Sequence, residues 1–468
     1  MIDKIIKNVS GISFDSREVK PGYAFFSISN NKDDELYNIQ DSIENGAKFI
    51  ITSLDADIEV VDKSVNIVKV KNPKLYLSKA ASLFYPKQPK YTVGITGTNG
   101  KTSSVNFFQQ ICHLLAYKSC SIGTLGIITS EEGYKEKDAP TLTSPYPISL
   151  HKTLNDLYEA DYTHLAIETS SHGIEQDRIT NVNFHAVGFT NFSQDHLDYH
   201  KSMKSYFDAK SRIFSEILEP NKYAVLNSDI DEYSVLKDIC DKRKIKIIDY
   251  GEKANDIRIV SFSPEETEVN IFGGKYVFTN KIKGKFQVYN ILCSVGLAIS
   301  SGIQVDKIMS VIESLKAAKG RLDFTGKINN ADIYIDYAHT PDSLKIVLQT
   351  LRGITKERLC VVFGCGGERD PIKRKLMGEV AKNYADFIVV TEDNPRGEDP
   401  RLIRKDIMLG CPNATEIEGR GKAIEYAISH LKSGDVLVIA GKGHENYQLI
   451  NGKKIHFSDF EEVEKAIS

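Results

Sequence analysis

The segment 96–102, Thr-Gly-Thr-Asn-Gly-Lys-Thr, has the residue types of a phosphate-binding loop and lies between an apolar, β-branched run and a helix-periodic run. Backbone N–H groups in such a loop can bind phosphate oxygens at a helix N-terminus. Lys101 can neutralise the β- and γ-phosphates, and the Thr102 hydroxyl can reach Mg²⁺. Ile95 stands where the strict Walker pattern requires glycine, and a tight turn with a surface lysine is the alternative. The context favours ATP binding by Gly97, Thr98, Asn99, Gly100, Lys101, Thr102 and Ser103.

Two further apolar runs end at side chains of the types that can bind cations. Glu168 directly follows the run 164–167, and the segment 191–200, which holds two His and two Asp, follows the run 186–190. Carboxylate oxygens are natural ligands for Mg²⁺, so beside the phosphate loop we interpret Glu168 as a metal ligand and not as a solvated strand-end acid. The second segment is compatible with a second divalent ion. Lys210, by its spacing alone, is typical of an exposed helical lysine.

Three loops in the last third of the chain carry charged residues directly after apolar runs. They are residues 364–370, 393–396 and 441–445. Arg369 and Arg396 can hold a carboxylate through paired N–H bonds, and Glu445 can hold an ammonium group. For each loop alone, a solvated turn is the simpler interpretation. The three loops together favour a pocket for a zwitterion, which is an amino acid.

The elements that must position these residues predict an α/β protein. Length favours about three domains, and the two prolines of Tyr-Pro-Lys-Gln-Pro near residue 88 indicate a linker. Beyond it strands alternate with helices, which predicts parallel sheets that bind ligands beyond the carboxyl ends of their strands. We therefore predict a small mixed α/β domain at 1–88, a central P-loop-type parallel-sheet domain at 89–325 and a Rossmann-like open α/β domain at 326–468. The predicted strands are 23–28, 49–52, 65–70, 91–96, 164–167, 186–190, 223–226, 333–336, 359–363, 387–390 and 436–440, with a helix at 103–116.

Composition argues against several classes of protein. The net charge is −3, from 60 Lys and Arg against 63 Asp and Glu, so nucleic acid is not expected as a partner. No apolar run approaches the roughly 20 residues that span a bilayer, and residues 1–9 lack the apolar core of a signal peptide. The seven scattered cysteines contain no CxxC pair and are expected to be free thiols in a reducing cytoplasm. We predict a cytoplasmic protein that is monomeric.

Taken in order along the chain, these motifs resemble the Mur ligase family. Besides the phosphate loop, the matching segments are 14–17, 168–173, 195–200, 336–341, 363–367, 393–396 and 441–445. The chain is similar to the branch that adds the third residue of the peptidoglycan stem peptide to UDP-N-acetylmuramoyl-L-Ala-D-Glu. The resemblance implies an ATP-dependent amide ligase in cytoplasmic precursor synthesis. It assigns uridine-nucleotide binding to 1–88, ATP binding to 89–325 and amino-acid binding to 326–468.

The resemblance also implies roles for individual residues. Lys210 falls where this family carries a carbamate, the acid formed from a neutral amine and CO₂. Catalysis would depend on Lys101, Glu168, His196 and Lys210, and two Mg²⁺ ions would be held by Thr102, Glu168, His196 and Lys210. Asn290 and Arg321 match positions near the base, ribose and phosphates of ATP. The implied contacts to the UDP-muramoyl-dipeptide are Ser16, Thr143, Ser144, Ser170, Gln176 and Arg178.

The form Asp-Asn-Pro-Arg at 393–396 is similar to the one associated with meso-diaminopimelate. That amino acid has a second carboxylate, which Arg396 can bind, whereas lysine has none. The implied diamino-acid site is Arg369, Asp393, Asn394, Pro395, Arg396, Gly441 and Glu445. Three positions depart from the family pattern. Gln287 stands where the family usually has Asn, Ser144 replaces a Thr but keeps the hydroxyl, and the segment 30–35 replaces a usually Gly-containing stretch at the uridine site.

Three alternatives remain open at this point. One is a ligase for L-lysine or another diamino acid, and a second is a folylpolyglutamate synthase, against which the segment 170–178 and the loop 441–445 argue. The third is a non-catalytic scaffold of the same fold. Against the scaffold stands the presence of all four implied catalytic residues in one chain.

Overall fold

The computed structural model describes residues 2–28, 31–56, 65–131 and 142–467. The side chains of Lys32 and Asp198 lie outside the description. Asn30 also lies outside the described residues; it belongs to the segment 30–35, which departs from the expected sequence pattern.

The N-terminal segment forms a small parallel sheet between helices. Its elements are α1 (Ile2–Ile6), β1 (Gly11–Ser13), β2 (Tyr23–Phe26), α2 (Lys32–Glu44), β3 (Phe49–Ser53), β4 (Asn66–Val70) and α3 (Pro73–Phe84), with a 3₁₀ turn at Ser16–Glu18. The strands lie in the order β1-β2-β3-β4, all parallel. The consecutive residues Phe25 and Phe26 enter two different apolar clusters, because successive side chains of a strand point to opposite faces.

The central segment alternates strands and helices. Its elements are β5 (Tyr91–Thr96), α4 (Lys101–Leu114), β6 (Ser119–Gly123), β7 (Gly126–Thr129), α5 (Pro147–Glu159), β8 (His164–Glu168), α6 (Ser171–Glu175), β9 (Ala186–Phe189), α7 (Leu197–His200), α8 (Met203–Arg212), β10 (Tyr223–Asn227), α9 (Tyr233–Lys242) and β11 (Lys246–Gly251), with a π turn at Ile213–Ile217.

Strand β5 lies at the centre of this parallel sheet. The strands lie in the order β11-β10-β9-β5-β8-β6, and each neighbouring pair in this order is parallel. Strand β7 extends the sheet by pairing antiparallel with β6. Val93 and Ile95 of β5 are fully buried, as expected for a strand covered on both faces. The phosphate loop therefore starts between the carboxyl ends of β8 and β9, where Glu168 and Thr190 stand.

The remaining elements begin at residue 257. They are β12 (Ile257–Phe262), β13 (Glu266–Ile271), β14 (Gly274–Thr279), α10 (Lys285–Ser300), α11 (Val305–Val311), β15 (Asp323–Ile328), β16 (Ala331–Asp336), α12 (Pro341–Arg352), β17 (Leu359–Phe363), α13 (Ile372–Tyr384), β18 (Phe387–Val390), α14 (Pro400–Met408), β19 (Thr415–Glu416), α15 (Arg420–Ser429), β20 (Val436–Ala440), β21 (Tyr447–Ile450), β22 (Lys453–His456) and α16 (Asp459–Ile467), with a 3₁₀ turn at Ile312–Ser314.

The C-terminal sheet has the order β15-β16-β20-β17-β18-β19. All its pairs are parallel except the edge pair β15–β16. The neighbouring residues Val362 and Phe363 of β17 enter separate apolar clusters on the two faces. The loops after β16, β17, β18 and β20 consequently lie at one edge of the sheet, since parallel strands end on the same side.

The described chain forms two compact units. The first runs to Phe192 and includes His200–Asp256 and Cys293–Ile308. The second consists of Ser193–Tyr199, Ile257–Leu292 and the chain from Met309 onward. The predicted phosphate loop belongs to the first unit, and the three charged C-terminal loops belong to the second. The domain boundaries at residues 88 and 325 stay predictions.

The predicted α/β class with three separate sheet-bearing segments is confirmed. The predicted strands all occur, with ends that shift by one or two residues. The antiparallel strands β12–β14 were not predicted, because their residues alternate between more buried and more exposed positions and make no continuous apolar run. The hairpin β21–β22 was not predicted either, because β21 is only half-buried and β22 is exposed. The seven cysteines are buried, and none of them forms a disulfide. Within the described residues, no helix combines the length and apolar character needed to cross a membrane.

Two buried histidines make the stability of the first unit sensitive to acid. Burial lowers the pKa of His164 and of His151 from 6.5 to about 4. His164 stacks on Tyr91 with a ring-centroid distance of 4.8 Å. Because the unfolded state binds the proton more tightly, the stability contribution is complete above pH 6.5 and is lost as the pH falls towards 4. The loss expected for each histidine is about 3 kcal/mol.

The measurement is the free energy of urea unfolding at several pH values between 7 and 4. We expect His164→Phe to lose less stability over this range than the unmodified protein. The matched control is His113→Gln, because His113 is exposed; it should follow the unmodified protein. Equal losses in the unmodified protein and His164→Phe would contradict the assignment.

Candidate active site

The conformation of the phosphate loop is fixed by hydrogen bonds to the residues that follow β9. Asn191 accepts from Thr98 N–H at its carbonyl (2.9 Å) and from Asn99 N–H at its side-chain oxygen (2.8 Å). The Thr190 hydroxyl donates to the Asn99 carbonyl (2.6 Å). A Cβ at Gly97, whose φ is +140°, would lie 2.0 Å from the Thr190 hydroxyl. The loop therefore needs glycine there for close packing against β9.

The first turn of α4 faces the space that the loop encloses. Gly100 ends the loop with φ of +85°, which favours glycine. Thr102 and Ser103 are buried in the first turn of the helix. A helix start carries a partial positive charge, so this arrangement can bind the phosphate chain of a nucleotide.

Two lysines converge on one carbonyl of the loop. Lys101 Nζ donates to Gly97 O (2.9 Å) and Thr98 O (2.7 Å), and Lys210 Nζ donates to the same Gly97 O (2.7 Å). Lys210 is only 1% exposed, and its ammonium lies 4.6 Å from the centre of the Tyr206 ring. The spacing-based interpretation of Lys210 as an exposed lysine is therefore wrong, because α8 turns that face inward against the loop.

Glu168 is a buried carboxylate with only neutral donors. Its Oε1 accepts from Thr124 N–H (2.9 Å) and its Oε2 from the Thr124 hydroxyl (3.1 Å). The residue is 1% exposed, and no ion pair to Glu168 occurs among the described residues. A Cβ at Gly123 would lie 2.3 Å from Glu168 Oε1, so glycine at the end of β6 makes room for the carboxylate.

The predicted substrate residues form one network with Glu168. The hydroxyls of Thr124 and Thr143 are 3.2 Å apart. Ser144 Oγ donates to the Glu168 carbonyl (2.9 Å) and lies 3.1 Å from Ser170 Oγ. Ser170 Oγ accepts from Gly173 N–H (3.1 Å) and so caps α6.

The network continues to a cavity in the N-terminal segment. Arg178 donates to the Ser144 carbonyl (3.1 Å) and to Gln176 Oε1 (2.6 Å), and its guanidinium lies 4.6 Å from the centre of the Tyr146 ring. The Tyr146 ring is 4.8 Å from that of Phe14. Both rings line a cavity of about 340 Å³ together with Phe25, Ser27, Ile28, Asp34, Tyr37 and Asn38.

Ser16 borders this cavity through Asn38. Its hydroxyl lies 3.4 Å from Asn38 Oδ1, although the Ser16 residue itself is buried. All six residues predicted to contact the UDP-muramoyl-dipeptide thus fall on a path of contacts within the first unit. That path leads from the cavity to Glu168.

His196 lies in the second unit. Its φ is +52°, and Nε2 is 3.4 Å from Asp195 Oδ2. Among the described residues, no three His, Cys, Asp or Glu side chains are grouped closely enough to hold a metal ion. The predicted metal role of His196 therefore stays a prediction.

The two residues predicted near the base, ribose and phosphates of ATP are joined by Gln287. Asn290 Nδ2 donates to Gln287 Oε1 (3.1 Å), and Gln287 Nε2 donates to the Arg321 carbonyl (3.2 Å). The Arg321 guanidinium lies 4.3 Å from the centre of the Tyr337 ring. Burial raises the pKa of neighbouring Asp336 to about 6, against the opposing effect of Arg321.

The loops after β17 and β18 are joined by hydrogen bonds in both directions. Glu398 accepts from Glu368 N–H, while Glu368 Oε1 accepts from Gly397 N–H (3.2 Å). Arg396 Nη1 donates to the Gly367 carbonyl (2.8 Å). A Cβ at Gly367 would lie 2.0 Å from the Pro395 carbonyl oxygen, so the two loops touch through their backbones.

Arg396 has an unusual backbone fixed by the β21–β22 hairpin. Its φ is +54°, its N–H donates to the Leu449 carbonyl (2.8 Å), and its carbonyl accepts from Asn451 N–H (2.7 Å). Within the described chain, neither Nε nor Nη2 of Arg396 donates a hydrogen bond. This side of the guanidinium has the two parallel N–H groups that bind a carboxylate.

The other predicted amino-acid residues surround Arg396. Arg369 is exposed, and its Cγ and Arg396 Nη1 would both lie within 4 Å of a Cβ at Gly366. Asn394 Nδ2 donates to Glu445 Oε2 (2.9 Å). Asp393 Oδ2 would lie 2.6 Å from a Cβ at Gly441. The three loops predicted from sequence thus meet at one edge of the C-terminal sheet.

A buried ion pair between Arg420 and Asp459 stabilises the start of two of these loops. Arg420 and Asp459 are fully buried and joined by two hydrogen bonds of 2.7 and 2.8 Å. Arg420 also donates to the carbonyls of Glu392 (3.2 Å) and Ala440 (3.0 Å). These residues directly precede Asp393 and Gly441.

Several residues that contact the predicted site residues were not singled out in the sequence analysis. They are Thr124, Thr190, Asn191, Tyr206, Arg420 and Lys442. Thr124, Thr190 and Asn191 follow buried strands at the sheet's carboxyl edge, and that rule could have found them. Tyr206, Arg420 and Lys442 are buried side chains in or next to helices and loops, and their partners are set only by tertiary packing.

Two family models match the chain. The Mur ligase middle domain matches residues 95–298, and the Mur ligase glutamate ligase domain matches residues 320–443. The chain belongs to the Mur ligase family.

Relatives extend the match over nearly the full length. A Mur ligase named UDP-N-acetylmuramoyl-L-alanyl-D-glutamate--2,6-diaminopimelate ligase from Rickettsia montanensis is 41% identical, covering 98% of this chain and 96% of the relative. One of the same name from Mesorhizobium japonicum is 39% identical over 98% and 95%.

Solved Mur ligase structures have the same fold. A structure with that same name has a TM-score of 0.70 at 29% identity, covering 98% of this chain and 94% of the other. A MurF ligase from Thermotoga maritima in complex with ADP has a TM-score of 0.64 at 16% identity, covering 99% and 97%. At 16% identity, the similarity to this second structure shows a shared fold and nothing about function.

Proposed function

We propose that this chain joins meso-diaminopimelate to the D-Glu residue of UDP-N-acetylmuramoyl-L-Ala-D-Glu at the expense of ATP. The names of the relatives at about 40% identity support this activity. The phosphate loop and the network around Glu168 support the activation of a carboxylate. The loops around Arg396 support a zwitterionic acceptor with a second carboxylate.

The proposed reaction has two steps. The D-Glu γ-carboxylate attacks the γ-phosphorus of ATP, which gives an acyl phosphate and ADP. The free amine of the incoming amino acid then attacks the acyl carbon, loses a proton and expels inorganic phosphate. Lys101 leaves the Gly97 and Thr98 carbonyls to neutralise the β- and γ-phosphates, and loop N–H groups and the α4 N-terminus bind the remaining charge.

The buried carboxylate of Glu168 fits a Mg²⁺ ion. Its negative charge has no cationic partner among the described residues, and burying an uncompensated charge is costly. As the family resemblance implies, the ligands of the two Mg²⁺ ions would be Thr102, Glu168, His196 and Lys210, and the ions would neutralise charge on the transferring phosphate. ATP, two Mg²⁺ ions and CO₂ are the proposed requirements.

The sharing of the Gly97 carbonyl supports a carbamate on Lys210. Two ammonium groups that donate to one oxygen repel each other, because like charges at this distance are unfavourable. Conversion of the Lys210 amine to a carbamate removes one positive charge and retains one N–H for Gly97. The product places a carboxylate beside the phosphate loop, where a metal ion can bind it.

The path from the N-terminal cavity to Glu168 supports a long nucleotide substrate. A cavity of about 340 Å³ lined by Phe14, Phe25, Tyr37 and Tyr146 suits a uracil ring, which stacks on aromatic side chains. Ser16 and Asn38 supply polar groups at this end. Ser144, Ser170 and Arg178 supply hydroxyl and guanidinium groups towards Glu168, as the muramoyl-dipeptide requires.

The geometry of Arg396 supports a preference for one amino-acid substrate over another. Its Nη1 is used by Gly367, and its outer N–H pair is positioned for a carboxylate. Lysine has no carboxylate at its far end and would leave this guanidinium without a partner. The free donors of Arg396 therefore favour meso-diaminopimelate over L-lysine.

Removal of the Arg396 guanidinium should act mainly on the diamino acid. We expect Arg396→Ala to raise the KM for meso-diaminopimelate by roughly 10- to 100-fold, while the KM for ATP stays within about twofold. The control is Arg401→Ala, since Arg401 is exposed and pairs with the neighbouring Asp399. An unchanged KM for meso-diaminopimelate would contradict the proposed contact.

The activity itself is tested by phosphate release. The unmodified enzyme is supplied with ATP, Mg²⁺, UDP-N-acetylmuramoyl-L-Ala-D-Glu and one member of a panel of meso-diaminopimelate, L-lysine, lanthionine and L-glutamate. Release that depends on meso-diaminopimelate is the expected result. Equal use of L-lysine would overturn the substrate assignment, and no substrate-dependent release would support the scaffold alternative. The cytoplasmic location and the monomeric state remain predictions from sequence.

A further inference from the structure

Lys442 is a fully buried ammonium group in the amino-acid site. Its Nζ donates to the Tyr447 carbonyl (2.6 Å), to Glu445 Oε2 (2.8 Å) and to Asn394 Oδ1 (3.2 Å). The side chain is 0% exposed. An ammonium has three hydrogens, so each of them has a partner.

The partners of Lys442 come from different segments that meet at the site. Asn394 belongs to the loop after β18, and Tyr447 begins the β21–β22 hairpin. Asn394 Oδ1 also accepts from Leu449 N–H (3.0 Å), and Asn394 Nδ2 donates to Glu445 Oε2 (2.9 Å). Through its single Nζ atom, Lys442 thereby connects the loop after β18, its own loop after β20 and the β21–β22 hairpin.

This network orients the Glu445 carboxylate. Oε2 receives two N–H donors, from Lys442 and Asn394, while Oε1 accepts no hydrogen bond within the described chain. The Glu445 side chain is 17% exposed. A carboxylate fixed through one oxygen presents the other oxygen in one direction, which favours a ligand that donates a hydrogen bond there.

We propose that Lys442 is a positioning residue that directs Glu445 Oε1 towards an ammonium group of the incoming amino acid. The inference rests on the proposed function, because it needs an amino-acid acceptor. Lys442 does not touch the substrate in this proposal and acts through Glu445.

Two effects of Lys442 oppose each other. Its positive charge repels an incoming ammonium, whereas its hydrogen bonds hold the carboxylate that binds the ammonium. If orientation dominates, removal of Lys442 weakens amino-acid binding. If repulsion dominates, removal strengthens binding. The sign of the change in KM therefore separates the two effects.

The test uses the variant Lys442→Met in the full chain. We expect the KM for the amino acid to rise by roughly 10- to 100-fold, as when the outer partner of a ligating side chain is removed, while the KM for ATP stays within about twofold. Lys382→Met is the matched control, because Lys382 is exposed on α13 of the same unit. A lowered or unchanged KM for the amino acid would overturn the proposal.

A double-mutant cycle separates positioning from a merely structural role. In a Glu445→Gln background, Lys442→Met should raise the KM for the amino acid much less than in the unmodified protein, because Lys442 acts through Glu445. Equal increases in both backgrounds would show that Lys442 acts by another route. Should Lys442→Met fail to fold, Lys442→Arg replaces it in the same cycle. It keeps the charge but places its N–H donors differently, and the same criterion decides: a smaller rise in the KM in the Glu445→Gln background supports positioning, and equal rises in both backgrounds contradict it.

The cycle is run with whichever amino acid the unmodified enzyme accepts. If the enzyme uses an amino acid other than meso-diaminopimelate, the substrate assignment fails, yet the role of Lys442 is still decided by the coupling with Glu445. If the enzyme accepts meso-diaminopimelate and the coupling is absent, only the positioning inference fails. If no amino acid is accepted, both fail together.

Discussion

Lys210→Ala should reduce substrate-dependent phosphate release by about 10²- to 10³-fold. The buried amine lies 2.7 Å from the Gly97 carbonyl of the phosphate loop, so its removal takes a charged group out of the reacting centre. The proposed carbamate would place a carboxylate there. Acetate should therefore restore part of the activity by filling the space left by the side chain.

The rescue pattern distinguishes a carbamate from a plain ammonium group. Methylammonium should not rescue Lys210→Ala, and Lys210→Arg should stay inactive, since neither supplies a carboxylate. The matched control is Lys101→Ala, because Lys101 donates to the same carbonyl (2.9 Å) but is proposed to act as a cation; acetate should not rescue it. Rescue of Lys210→Ala by methylammonium and not by acetate would refute the carbamate.

Asp459→Ala should lower the free energy of unfolding of the second unit by about 3–5 kcal/mol. The reason is that Arg420 and Asp459 are both fully buried, so the mutation leaves an unpaired guanidinium in the interior. The same pair holds the Glu392 and Ala440 carbonyls through Arg420. The loops that begin at Asp393 and Gly441 should lose their support as well. Urea unfolding monitored by circular dichroism gives the free energy.

Two comparisons test the cause of this loss. The double variant Arg420→Met/Asp459→Leu should recover most of the stability, because replacing a buried ion pair by apolar residues is often neutral. Lys465→Ala, which breaks the more exposed pair with Glu462, should leave the free energy of unfolding almost unchanged. A loss of similar size in Lys465→Ala and Asp459→Ala would contradict the importance of burial.

The sequence was most informative where strands are buried on both faces. The predicted run 91–96 coincides with β5, and the runs 359–363 and 387–390 coincide with β17 and β18. Such strands read as continuous apolar segments because both sheet faces are covered. The motifs after these strands could be placed at one sheet edge for the same reason. The half-exposed strands β12–β14 carry no such run.

Residue types and order along the chain were sufficient to determine the α/β class and to place the phosphate-loop motif and the three charged C-terminal loops directly after strands, because strand–loop–helix units are local in sequence. Only the tertiary structure decided that Lys210 is buried and shares the Gly97 carbonyl with Lys101, since these residues are more than one hundred positions apart. It also decided that Thr124 holds Glu168, that Arg420 pairs with Asp459 and that Lys442 orients Glu445. Burial and pairing depend on which distant side chains fill the same space, and spacing along the chain carries no record of that.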